Sequence, residues 1–126
     1  MVQPVKARNA DRSRVLTQAV HEVARRFGFG STDLKNIIGI SQPTASRLLN
    51  GKYSLDEGGK EWELSALFVR MYRSLSSMVG GDDELAKVWL STPNRAFGGQ
   101  HPSEAIKRIE GLIHACEYLD AYRARI

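Results

Sequence analysis

Cysteine is almost missing from this chain. Cys116 stands alone, so neither an internal disulfide nor a cysteine-based metal set can form. A reducing, cytoplasmic location is therefore the expectation. No run of about 18 apolar residues occurs, which leaves nothing to cross a bilayer as a helix. The opening Met1-Val2-Gln3-Pro4-Val5-Lys6 has no apolar signal core. The three histidines, His21, His101 and His114, are scattered without the paired spacing of metal ligands. The glycine pairs lack the strand and the lysine that a phosphate-binding loop requires. No nucleophile has a base beside it, so neither catalysis nor a cofactor is expected. Alternating strand patterns are absent as well, and so are internal repeats.

What is present is charge, unevenly placed. Net charge is +4 over 126 residues. Residues 1–52 hold 9 Lys/Arg against 3 Asp/Glu, and residues 53–126 hold 9 against 11. A cationic first half and a slightly acidic second half suit a chain that meets phosphates at one end and something else at the other.

Apolar spacing gives an all-α reading. Residues 1–8 are short, basic and aperiodic, and are expected to be disordered. From about Asn9 a helix carries Val15, Leu16, Ala19, Val20, Val23, Ala24 and Phe27 at three- and four-residue intervals, and Gly28 ends it. Ser31 caps a second, short helix through Leu34, Ile37 and Ile38. A long helix follows from about Lys60 to Val79. Its stripe of Leu64, Leu67, Phe68, Met71, Tyr72, Leu75 and Met78 is wide enough to suggest a connecting and dimerising element. Gly80-Gly81 stops it, and Asp82 or Asp83 caps a helix bearing Leu85, Ala86, Val88, Trp89 and Leu90. Pro93-Asn94 breaks the chain, and Pro102 opens another helix that Gly111 interrupts or ends. The units expected are 1–8, 9–59, 60–81 and 82–126.

The most informative stretch is Gly39-Ile40-Ser41-Gln42-Pro43-Thr44-Ala45-Ser46-Arg47-Leu48-Leu49-Asn50-Gly51. A glycine makes a sharp turn, an aliphatic residue plugs it, and Ser41 caps a short helix that stops at Asn50-Gly51. Ala45, Leu48 and Leu49 form its inner side. Pro43, Arg47 and Asn50 point away from that side, with Thr44 and Ser46 flanking. Such a helix is laid in the major groove of DNA, with its first turn against base edges. Arg47 suits guanine O6 and N7, and Gln42 suits adenine N6 and N7. Ser41, Thr44, Asn50 and Lys52 suit phosphates. Pro43 offers an apolar surface to a thymine methyl or stiffens the first turn.

This segment resembles the phage-repressor (Xre) type of helix-turn-helix in its Gly-Ile-Ser turn, its Ser-Arg-Leu-Leu core and its closing Asn-Gly. It departs at Lys35, where that type usually has alanine. Either the lysine stem lies along the surface with its amine in solvent, or helices two and three stand further apart. Further on, Trp89-Leu90, Pro93-Asn94, Phe97-Gly98-Gly99, Pro102 and Gly111 are spaced as in the C-terminal domain of Xre/MbcA/ParS-like antitoxins. The far end departs from that pattern at Ala115, Tyr122 and Arg125.

The resemblance implies an N-terminal helix-turn-helix bundle followed by a small helical toxin-binding domain. It implies as partners operator double-stranded DNA and a RES-type toxin that consumes NAD, with a homodimer inside a larger hetero-oligomer and no membrane. It also implies that the C-terminal region blocks the toxin's active site, for which Tyr122, Arg123, Arg125 and Ile126 are the candidates. A different class remains open at this level: a stand-alone helix-turn-helix repressor whose C-terminal helices only dimerise or sense a ligand. A third reading is an interaction module whose helix-turn-helix no longer binds DNA.

Overall fold

The computed structural model describes residues 5–124, with side chains from residue 10 onward. Among these residues there are seven α-helices and no strand. They are α1 (Val5–Phe27), α2 (Ser31–Ile38), α3 (Gln42–Leu49), α4 (Lys60–Met78), α5 (Asp83–Leu90), α6 (Pro102–Ala105) and α7 (Ile109–Ala124). A single 3-10 turn, Arg95–Phe97, lies between α5 and α6. No helix among the described residues is long and apolar enough to cross a membrane.

The core is built around α4. Phe68, Met71 and Leu75 on this helix are fully buried, because α1, α2 and α7 all pack on it. The stripe broad enough to suggest a second copy is therefore covered mainly from within the chain, by α7. A connector has become the centre. Phe27 meets Tyr72 at 5.3 Å between ring centroids, and Phe29 meets Phe68 at 6.1 Å, so aromatic contact closes the α1–α4 seam. Ser13 and Thr17 tie down the loop after α3. The Ser13 hydroxyl donates to the Leu55 carbonyl (2.9 Å), and the Leu55 N–H donates to Thr17 Oγ1 (2.9 Å). That holds Leu55 in the core, 1% exposed.

Four expectations change here. Ser31 is the first residue of α2, and Gly30 holds the N-cap position instead. Helix α1 begins at Val5 rather than Asn9, so residues 5–8 are helical, and residues 1–4 lie outside the described part. Val15, placed in the inner stripe by its spacing, is 61% exposed. Gly111 neither interrupts nor ends a helix. The break falls at residues 106–108, and Gly111 sits in the first turn of α7. Its role is close approach: a Cβ there would stand 1.8 Å from the Ala105 carbonyl oxygen. Only a residue without a side chain lets α7 cross the end of α6 at that distance.

Candidate nucleic-acid and partner interfaces

Helices α2 and α3 form the turn motif. Ile40 and Gly39 both return their N–H groups to the Lys35 carbonyl (3.3 and 3.0 Å). Gly39 closes the helix at φ 70°, a left-handed conformation that suits glycine. Lys35 itself is exposed, so the residue that departs from the usual alanine is not buried between α2 and α3. Ser41 caps α3 by accepting from the Thr44 N–H (3.2 Å), and its hydroxyl donates to Thr44 Oγ1 (2.8 Å). Ala45 and Leu48 are fully buried, while Leu49, expected beside them, is half-buried.

The outer side of α3 is open. Ser41, Gln42, Pro43, Ser46, Arg47, Asn50 and Lys52 are exposed, and Thr44 is half-buried. Gln42 leans back on the start of α2, donating to Ser31 Oγ at 2.6 Å and accepting from Thr32 at 3.4 Å. Ser31 and Thr32 therefore stand beside the first turn of α3. Nothing in their local spacing marks them, because only the crossing of the two helices brings them there. Arg47 stacks over Tyr53, 5.6 Å from the ring centroid. The Tyr53 hydroxyl donates to Glu61 (2.7 Å), and burial together with that carboxylate pushes its pKa up to about 12. The arginine is thus held over a neutral ring. The Lys52 N–H donates to the Arg47 carbonyl (2.8 Å), which fixes Lys52 beside the end of the helix.

Ion pairing selects this face further. Arg12 pairs with Glu57, Arg14 with Asp11, Arg25 with Glu22, and Arg26 with both Glu22 and Asp83. Over residues 10–52 the cations without a carboxylate partner among the described residues are Lys35, Arg47 and Lys52. All three lie on the helix-turn-helix. Unpaired cations around an exposed helix make a surface suited to a polyanion.

The C-terminal unit leaves a different surface. Helix α5 buries Ala86 and Leu90 but exposes Leu85 (52%) and Val88 (60%). These two, with Met78, Val79, Trp89, Pro93, Tyr118 and Tyr122, line an open groove of about 530 Å³. Its wall is an aromatic cluster. Trp89 meets Phe97 edge-on at 5.7 Å and stacks on Tyr118 at 6.4 Å, and Phe97 meets His114 at 4.9 Å. His114 Nε2 lies 2.6 Å from the Ala96 carbonyl, so that nitrogen carries the proton and donates. The loop below is closed by Asn94, whose Oδ1 accepts from the Ala96 N–H (2.9 Å).

The four C-terminal candidates separate. Tyr122 stands on the lip of the apolar groove, 44% exposed. Arg123 turns instead to a polar cluster, donating to Ser74 Oγ (3.3 Å). There the Ser74 hydroxyl donates to Asp120 (2.6 Å), and Arg70 pairs with the same carboxylate. Ser74 and Arg70 together hold the Asp120 carboxyl below its ordinary range. Arg125 and Ile126 lie outside the described residues. Sequence reasoning missed Leu85 and Val88 as surface residues. Their three-residue spacing matches that of core positions, and only the packing of α5 shows which side faces out.

Comparison with known families decides what these two surfaces belong to. Residues 7–70 match the antitoxin Xre-like helix-turn-helix domain, and residues 74–125 match the antitoxin Xre/MbcA/ParS C-terminal toxin-binding domain. The chain belongs to the Xre antitoxin family. It is also similar to an "Antitoxin Xre" of Yersinia enterocolitica (serotype O:8 / biotype 1B, strain NCTC 13174 / 8081), with 26% identity over 98 residues. That alignment covers 78% of this chain and 57% of the relative, so the chain spans little more than half of the relative's length. The family boundary between residues 70 and 74 falls inside α4, so this Xre-family chain shares one central helix between its two domains.

Proposed function

We propose that this chain neutralises a RES-domain toxin that degrades NAD and represses its own operon. One observation carries the reading: the two domains leave unpartnered surfaces of opposite chemistry. Lys35, Arg47 and Lys52 stand free around an exposed helix, while Leu85, Val88 and Tyr122 expose carbon around a groove. Exposed apolar area of this kind marks a protein partner, and the toxin is the partner that the C-terminal domain's family suggests.

On the DNA side, Gln42 and Arg47 read bases. Ser41, Thr44, Ser46, Asn50 and Lys52 meet the backbone, and Pro43 packs against the groove floor. A homodimer places two such helices on inverted half-sites about one helical turn, or a multiple of it, apart. On the toxin side, Tyr122 and the groove residues dock first and the chain end, Arg123, Arg125 and Ile126, closes the toxin's substrate entrance. An arginine there occupies the space meant for the substrate's anionic pyrophosphate or pairs with a pocket carboxylate.

The test is co-expression with a RES-type toxin gene, scoring growth and cellular NAD, beside a gel-shift titration on the upstream DNA at several salt concentrations. Rescue of growth and NAD is expected, with operator affinity falling steeply as salt rises. Operator binding without any rescue favours the stand-alone repressor. Rescue without DNA binding leaves an interaction module.

A further inference from the structure

A second apolar groove lies between α1 and α4, and its lining residues are distinct from those of the C-terminal groove. Val15, Leu16 and Ala19 of α1 face Trp62, Ala66 and Val69 of α4 across an open depression of about 490 Å³. Val15 is 61% exposed within it, beside the half-buried Leu16, Ala19 and Trp62 and the exposed Ala66, so the apolar lining forms one contiguous open patch. We infer that this groove seats a second copy of the chain, docked about a two-fold axis. The inference rests on the homodimer reading above and names its face.

Charge placement argues for a copy of this chain rather than another partner. Helices α1 and α4 run side by side in the same direction. Arg12 lies over Trp62 (5.8 Å) near their starts, and Phe27 meets Tyr72 (5.3 Å) further along. Asp11 therefore marks one end of the groove and Arg73 the other, and both line it. From Trp62 to Arg73 the helix rises about 16 Å. Arg73 has no ion pair among the described residues, and Asp11 has only a long contact to Arg14 (3.5 Å), both more than half exposed. Arg12 beside it is already neutralised by Glu57 (2.7 Å). A two-fold axis across the groove turns one copy end for end. It brings the Asp11 of each copy to the Arg73 of the other, so the same opposite-charge contact forms twice.

The geometry leaves both functional surfaces free. At 100° per residue, Val15 and Ala19 lie on one flank of α1, and Arg14, Gln18 and His21 lie on the other. The second flank lines a cleft shared with Leu48 and Tyr53 beside the recognition helix. The groove of Leu85, Val88 and Tyr122 is formed by α4, α5 and α7 and does not include α1.

Sedimentation equilibrium on the full chain tests this. The wild-type chain is expected to dimerise. Val15→Glu and, separately, Ala19→Arg should each weaken dimerisation at least tenfold, with an unchanged thermal midpoint for Val15→Glu, whose side chain is exposed. Asp11→Arg and Arg73→Asp should each weaken it several-fold, and the double exchange Asp11→Arg/Arg73→Asp should restore it. If the wild type dimerises and neither Val15→Glu nor Ala19→Arg weakens it, this face is wrong while the homodimer stands. Failure of the double exchange to restore dimerisation overturns the two-fold pairing. A wild-type chain that stays monomeric at all concentrations overturns both the face and the homodimer.

Discussion

The helix-turn-helix domain and the C-terminal domain share a core helix but present their surfaces by opposite means. In the first, apolar residues go inside and Arg12, Arg14, Arg25 and Arg26 of α1 find carboxylates, so that Lys35, Arg47 and Lys52 are the cations of residues 10–52 without such a partner among the described residues. In the second, most cations pair locally, as Lys87 with Glu84 and Lys107 with Glu104, and it is carbon that stays outside. A polyanion is attracted at long range by unpaired charge. A folded protein partner gains mostly by covering apolar area. The contrast shows how a small helical chain can carry two interfaces that do not compete for the same ligand.

The largest effect is expected from the double substitution Leu85→Glu/Val88→Glu. It should weaken toxin capture by about 4 kcal/mol or more, since buried charges replace anchors of the interface. Folding stability should move by only about 0.5 kcal/mol, because both side chains are exposed. Isothermal titration with the toxin, beside a gel shift that stays unchanged, checks the separation.

Gly111→Ala comes next. Its new methyl would collide with the Ala105 carbonyl, so stability should fall by about 3 kcal/mol, read from the denaturant midpoint. An unchanged midpoint would show that α6 and α7 can part at no cost. Arg47→Ala should weaken specific operator binding by about 1–3 kcal/mol and leave toxin capture intact. Equal operator affinity for both proteins in a gel-shift titration would remove Arg47 from the reading face.

The smallest effect concerns the α4–α7 tie. Hydrogen bonding from Ser74 and the Arg70 charge hold the Asp120 carboxyl low. A lowered carboxyl adds stability above its unfolded pKa of about 3.9 and loses it as pH falls through the folded value. Asp120→Asn should therefore cost about 0.5–1 kcal/mol at pH 7, with the deficit closing once the pH drops below about 4. Urea melts of both proteins across that range measure it.

Much of this was legible from residue order. Ser41 as a cap, the Gly39 turn and the buried Ala45 and Leu48 follow from local hydrogen bonding and helical period, which depend on neighbours a few residues away. The recognition side of α3 follows from the same period once the inner side is known. The C-terminal groove was not legible. Leu85 and Val88 carry the same spacing as core residues, and Tyr122 and Arg123 are adjacent in sequence yet turn to an apolar lip and a polar cluster respectively. Gly111 looked like a break because its neighbour Ala105 is brought close only by the α6–α7 crossing.

By itself, then, the chain's residue order determined an all-helical protein, the site of its turn motif and the polarity of its two halves. These are properties of short-range geometry and of charge counted along the chain. Only tertiary packing decided that α4 is a shared core instead of an outer connector, which arginines are neutralised, and which apolar residues stay uncovered. Each of those depends on side chains tens of residues apart meeting in space, and no local pattern encodes such a meeting.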